Sequence, residues 1–226
     1  MEGFLRYDLP LLVSYPRSGT NWIRYIIEYI SGQPTPGQPR LHTGGNFIID
    51  RAHKAYPILH QHPKAILVIR DYRECLLRSL PDLWEQIPVP AKFLQVEWGK
   101  TPPVWYALNI EAFDRFRGDK LLLYYEDLIQ DSASQVWEIS EFLGLDTAKT
   151  EDFVADLETR CQESIRAYTS GGHTAFTAKN PKNFSYHANK HLTPALSAEF
   201  DAFFSSQYPH LFEKYLKRYT TCRSQL

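Results

Sequence analysis

Cysteine is scarce in this 226-residue chain: Cys75, Cys161 and Cys222 stand far apart, with no C-x-x-C pair. That spacing argues against a disulfide scaffold or a cysteine-built metal centre and favours free thiols in a reducing compartment. Long apolar runs are missing too. No stretch approaches the ~20 residues a spanning helix needs, and the first residues lack the basic and apolar regions of a signal peptide. The expectation is a cytoplasmic chain with no membrane as partner. A formal net charge of −1 gives no reason to expect nucleic acid either. A further absence is more specific. The segment "LLVSYPRSGTNW", residues 11–22, has the strand–turn–helix look of a phosphate cradle, yet the Walker pattern G-x-x-x-x-G-K-[ST] is not in it.

What is there is a globular composition, 43% hydrophobic and 23% charged, which suits one domain over residues 1–226. Residues 9–15 and the run "AILVI" at 65–69 read as strands buried on both faces, as in a parallel sheet. Residues 48–53 and 120–125 read as two more. Residues 20–31 carry Trp22, Ile23, Ile26, Ile27 and Ile30 at helical spacing, stopped by Gly32. Helices are also expected over 71–80, 104–116, 135–143 and 150–168, and from Pro194 onward. Residues 32–46, with three prolines and four glycines, are loop. Residues 81–103, with five prolines, are irregular with short helical pieces, and 170–189 are loop-like. Strands alternating with helices predict an α/β fold, a P-loop-like parallel β-sheet flanked by helices. Ligands of such sheets gather at the strand carboxyl ends, where this chain carries Ser14 to Gly19, His53, Arg70 with Asp71, and Tyr125 to Asp127.

These segments resemble a known family. "YPRSGTNW" is similar to the phosphosulfate loop YPKSGTTW of the PAPS-dependent sulfotransferases. "DRAHKAYPIL" resembles the K-T-H-L-P segment with the family's catalytic histidine. "AILVIRDYRECLLRS" resembles the 3′-phosphate strand and helix V-x-R-N-P-x-D-x-x-x-S. "LLLYYEDLIQDSASQVWEISEFLGL" resembles L-x-x-x-Y-E-D-L … I-x-x-F-L-G-L, and "HTAFTAKNP" the adenine segment.

The resemblance implies a transferase that moves a sulfuryl group from PAPS to a hydroxyl or amine of a small organic acceptor. It leaves adenosine 3′,5′-bisphosphate and requires no metal. His53 is then the general base, with Arg17 in the place of the family's lysine beside the leaving phosphate and Arg51 in that of its second lysine. His60 and His62 flank a turn and are expected at the surface. Arg17, Ser18, Gly19, Thr20 and Asn21 would cradle the phosphate, and Trp22 would stack on the adenine. Arg70 opens the 3′-phosphate segment, where the family's serine position holds Arg78 and Ser79 lies one further on; either side chain can take the phosphate. Tyr125 matches a nucleotide-contacting tyrosine, whereas Glu126 and Asp127 read as structural. Thr174 and Phe176 belong to the adenine segment. A closing lid over about 170–193 keeps only Lys182 of its usual phosphate contacts. An acceptor-side insert over about 81–106 supplies Trp84, Phe93, Trp98, Trp105 and Tyr106. A nucleotide-binding protein of the same fold with impaired catalysis is the second reading, and a magnesium-dependent ATP phosphotransferase the third. The acceptor and the oligomeric state are not specified by the sequence.

Overall fold

The computed structural model describes residues 6–79, 103–169 and 192–221. Four strands form one parallel sheet in the order β2-β1-β3-β4: β1 Leu11–Ser14, β2 Asp50–Ala52, β3 Lys64–Ile69 and β4 Asp119–Tyr124. Leu11 pairs with both Asp50 and Ala65, and Ile69 ends its strand opposite Tyr124, so all four carboxyl ends lie on one side. Between and after the strands come α1 (Thr20–Ser31), α2 (Tyr72–Ser79), α3 (Val104–Arg115), α4 (Tyr125–Gln130), α5 (Ser132–Leu143), α6 (Thr147–Ala155), α7 (Leu157–Thr169) and α8 (Pro194–Gln207). A π-helical turn, Phe212–Leu216, and a last helical turn, Arg218–Thr221, follow.

The period of two along each strand sorts its side chains between two cores. Leu11, Val13, Ala65, Leu67 and Ile69 face one, with Tyr72 and Leu76 of α2, Tyr106, Ile110 and Phe113 of α3, and Phe200 and Phe204 of α8. Leu12, Ile66, Val68 and Leu123 face the other, with Ile23, Ile26, Ile27 and Ile30 of α1, Ile139 of α5 and Phe153 of α6. Both faces are covered at the two central strands, so the runs Leu11 to Val13 and Ala65 to Ile69 are continuously apolar, as expected of a parallel sheet. Helix α1 occupies residues 20–31 as its periodicity predicts. Gly32 ends it at φ 69, a left-handed conformation that costs an L side chain about 1–2 kcal/mol.

Three elements differ from expectation. Tyr125 opens α4 rather than closing β4. The helix expected over 150–168 is two, because Asp156 leaves helical geometry at φ −134, ψ 47. His62 is not at the surface; it is 4% exposed, and its Nδ1–H donates to the Leu9 carbonyl at 2.8 Å while Tyr7 packs edge-on against the ring. His60 is exposed. Among the described residues no helix is long and apolar enough to cross a membrane.

Ile26 sits wholly buried beneath the sheet, whereas Ile129 is 43% exposed. Ile26→Ala is expected to lower unfolding free energy by about 2–5 kcal/mol, and Ile129→Ala to change it by about 0.5 kcal/mol or less, in urea titrations.

Candidate functional site

The loop between β1 and α1 is closed from inside. Ser14 Oγ and Thr20 Oγ1 lie 2.7 Å apart, the Ser18 N–H donates to the Tyr15 carbonyl, and Ser18 Oγ meets the buried thiol of Cys75. Two residues take left-handed backbone, Arg17 at φ 74 and Gly19 at φ 92. A non-glycine residue in that region is uncommon and concentrates at binding loops. Gly19 has no alternative: a Cβ there would lie 2.3 Å from Cδ2 of Tyr125. The Tyr125 ring therefore rests on the glycine backbone. Arg70 stands 4.2 Å from that ring's centroid and donates to the Arg17 carbonyl at 3.0 Å. Burial opposes the Arg70 charge, but Tyr125, Cys75, Glu126 and Glu74 outweigh it, and its pKa is raised. Arg17 is pushed the other way, by the protein packed round its guanidinium and then by Arg78. Arg78 bonds Glu74 at 2.8 Å. One loop, three guanidinium groups and an aromatic ring thus meet at the ends of β1 and β3.

On the other side of β1 lies His53, just past the end of β2. Its Nδ1 is 2.6 Å from the Ser14 carbonyl. A carbonyl only accepts, so Nδ1 carries the proton and Nε2 holds the lone pair. The ring is held neutral down to about pH 4, chiefly by burial and further by Arg51 and Arg24; the bond to Ser14 works in the opposite direction. Burial, then Arg24, also lowers Arg51 to about 10.

Arg24 and Glu28, one turn apart on α1, are both fully buried. Arg24 donates to Thr35 Oγ1 and to the Pro39 carbonyl, each at 2.8 Å, and to Asn21 Oδ1 at 3.4 Å. Glu28 accepts from the Thr35 N–H and hydroxyl and from the Leu41 N–H. The pair ties the loop that follows α1 down beside the site. At Gly37 of that loop an added Cβ would lie 3.0 Å from Arg51 Nη2 and 3.3 Å from Arg24 Nη1. Helix α3 faces the same ground. Tyr106 donates to the Arg70 carbonyl at 2.5 Å, and Asn109 holds the backbone of His53 and Ala55. Lys54 lies 5.8 Å from the Trp105 ring centroid.

Of the residues singled out from the sequence, Arg17, Ser18, Gly19, Thr20, Arg70, Arg78 and Tyr125 converge on one loop, with His53 and Arg51 adjoining it. Asn21 faces Arg24. Trp22 is 6% exposed and stacks on Tyr25, centroids 5.8 Å apart and planes 12° from parallel. Tyr106 is buried among Tyr15, Tyr72 and Phe204. Glu126 accepts from the Asp71 N–H and the Tyr219 hydroxyl, and Asp127 pairs bidentately with Arg218. Trp84, Phe93, Trp98, Thr174, Phe176 and Lys182 lie outside the described residues, as does the side chain of Ser79. Sequence reasoning passed over Arg24, Glu28 and Asn109. Their signal was present: charges at i and i+4 on a helix otherwise lined with isoleucine, and one amide between Tyr106 and Phe113 on a buried face.

Glu28→Gln removes the charge facing buried Arg24. A loss of about 3–5 kcal/mol is expected in urea unfolding, as for breaking other buried pairs.

A family model described as the sulfotransferase domain matches residues 47–214. Among curated proteins, a 3-alpha-hydroxysteroid sulfotransferase of Cavia porcellus is 29% identical, the match covering 59% of this chain and 58% of that protein. Sulfotransferase 2A2 of Rattus norvegicus is 25% identical, over 62% and 60% of the two chains. The matched part of the chain spans about three-fifths of the length of these relatives. Among solved structures, the mouse sulfotransferase SULT7A1 complexed with PAP superposes with a TM-score of 0.58 at 17% identity, covering 89% of this chain and 85% of that one. A sulfotransferase from Alicyclobacillus acidocaldarius gives 0.53 at 14% identity, with 92% and 96% covered. At such identities the two structures speak for the fold alone. The domain match, which holds His53, Arg70 and Tyr125 within its bounds, settles the lineage: this chain belongs to the sulfotransferase family.

Proposed function

We propose that the chain transfers a sulfuryl group from PAPS to a hydroxyl or amine of a small organic acceptor, with His53 as general base. One observation carries this reading: His53 is fixed by the Ser14 carbonyl in the tautomer that leaves the Nε2 lone pair free, at the rim of a phosphate-type loop. A neutral imidazole with an available nitrogen is the form that accepts a proton from an attacking hydroxyl.

The residues present fit the donor. The Gly19 backbone lies bare under Tyr125, at the positive end of α1, as suits a phosphate held by N–H groups. Arg17, Arg70 and Arg78 supply the cations such a dianion needs, and a guanidinium bonds phosphate oxygens in pairs. In this reading the loop from Arg17 to Thr20 holds the 5′-phosphate, and Arg70, with Arg78 or Ser79, holds the 3′-phosphate. Thr174, Phe176 and Lys182 are the further candidates for the nucleotide; Trp22, sequestered against Tyr25 and Phe153, has no open face for the adenine and drops out of that set. PAPS supplies the sulfuryl group when bound. His53 takes the acceptor proton at Nε2, and Arg17 stabilises charge growing on the phosphate side. Arg51 stabilises it on the other side of β1. Trp84, Phe93, Trp98 and Trp105 are the candidates for contact with the acceptor; Tyr106, buried, supports Arg70 instead.

Titration calorimetry with adenosine 3′,5′-bisphosphate is expected to give saturable binding; none at millimolar ligand would overturn the reading. His53→Ala is expected to lower turnover about 10²–10⁴-fold while nucleotide affinity holds within about 2-fold. Unchanged turnover would remove His53 as the base. In the free protein His53 is protonated only as pH falls through about 4. The unfolded chain binds that proton near the ordinary histidine value of about 6.5, so its contribution to stability is present above pH 6.5 and is lost as pH falls toward 4. An NMR titration of the His53 ring checks this, and a midpoint near 6.5 would contradict it.

A further inference from the structure

Strand β2 has three residues and lies at the edge of the sheet. Its register against β1 runs Leu11 with Asp50, Leu12 with Arg51 and Val13 with Ala52. The next rung would set Ser14 opposite His53. There the ladder stops, because the Ser14 carbonyl accepts from the imidazole of His53. The side chain of His53 has taken an acceptor that an extended ladder would offer to backbone. The N–H that ladder would bring is that of Lys54, since Asp50 bonds back to the Pro10 carbonyl and the pattern alternates; the His53 backbone itself faces the open edge of β2 and needs a partner there.

Asn109 is that partner. It is 1% exposed, in the middle of α3. Its Nδ2 donates to the His53 carbonyl at 2.9 Å, and its Oδ1 accepts from the Ala55 N–H at 2.8 Å. The amide orientation follows from these contacts, since a carbonyl only accepts and a backbone N–H only donates. One side chain thus supplies both a donor and an acceptor to the same stretch of backbone, as a neighbouring strand would. We propose that Asn109 is the positioning residue of the base: it takes the place of a neighbouring strand beside the open edge of β2 and fixes His53 with Nδ1 on Ser14 and Nε2 toward the reaction. This rests on the assignment of His53 as the base made above.

The division of labour along α3 supports the inference. Tyr106, three residues earlier, grips the carbonyl of Arg70. One helix face therefore steadies the base through Asn109 and the phosphate cation through Tyr106, by separate bonds. The charged groups facing His53 are Arg51 of β2 and Arg24 of α1. Ser14 of β1 and Asn109 of α3 approach it with neutral groups, and neighbouring Lys54 is exposed and directed to Trp105. With Asn109 gone, the ring is free to leave Ser14 and to turn toward water.

The test uses Asn109→Ala in the full chain, read in two ways. By ¹⁵N NMR, the wild-type His53 shows the single tautomer protonated at Nδ1. In Asn109→Ala it is expected to populate both tautomers and to titrate closer to the ordinary histidine value. In the sulfuryl-transfer assay, kcat is expected to fall about 10²-fold, the cost of an ångström-scale misplacement, with the dissociation constant for adenosine 3′,5′-bisphosphate unchanged within about 2-fold. Should Asn109→Ala fail to fold, Asn109→Asp retains the acceptor for Ala55, sets a second acceptor against the His53 carbonyl in place of the donor and adds a negative charge, so it is read by the tautomer and not by the titration. It is expected to loosen the tautomer while thermal unfolding stays cooperative. An unchanged His53 tautomer in a folded variant would overturn the proposal, as would a parallel loss of nucleotide affinity. A wild-type chain without transferase activity would refute the base assignment, and the NMR arm would still decide whether Asn109 fixes the ring.

Discussion

Ser14 ends the central strand β1, and its two polar groups go to different places. The hydroxyl turns to Thr20 and closes the phosphate-type loop; the carbonyl turns to His53 and sets the tautomer of the ring. Everything at the site depends on this parting. If β1 ran one residue further in register with β2, the carbonyl would be drawn into the ladder and the imidazole would lose the bond that orients it. The short β2 and the early end of β1 are conditions for an oriented imidazole at His53, and the two buried cores on either side of the sheet hold the strand end in place.

The electrostatics favour ligand over fold. Arg17 is influenced by Arg78, and Arg51 by Arg24, so cations face cations on both sides of β1. Burying like charges together disfavours the folded protein unless an anion offsets them, and in the proposed function that anion is the phosphate of the donor. Arg24 is the exception that makes the others tolerable. Its bonds to Glu28, Thr35 and Pro39 give it a place in the fold, and from that place it adds a little to what burial and Arg51 do to hold His53 neutral. The same helix that presents its N-terminus to the loop therefore carries, one turn along, a charge that acts on the base.

Much of this was legible in the sequence, for reasons that can be named. The bounds of α1 follow from isoleucine spacing and from Gly32. The polar residues at strand ends follow from the rule that parallel sheets bind at their carboxyl edge. Tyr125 continues the apolar run of β4 in sequence, and its place over Gly19 depends on a backbone turn that only the packed structure reveals. His62 looked like a turn residue, yet the chain before β1 folds back and covers it. Arg24, Glu28 and Asn109 act through bonds to backbone that is distant along the chain, or that belongs to a loop without periodicity, and no local pattern reports such partners. The domain match begins at residue 47, beyond the phosphate-type loop. The character of that loop therefore rests on Gly19, Arg17 and Tyr125 themselves.

The bare backbone at Gly19 has a consequence for anyone who would rebuild this protein. The ring of Tyr125 occupies the volume a side chain at 19 would need, and it comes from the far edge of the sheet, across β3. Residues 19 and 125 are two halves of a keyed joint. A chimera that imports this loop onto another sheet without the aromatic residue that opens α4 receives a lock without its bolt, and Arg70 loses the surface on which it lies.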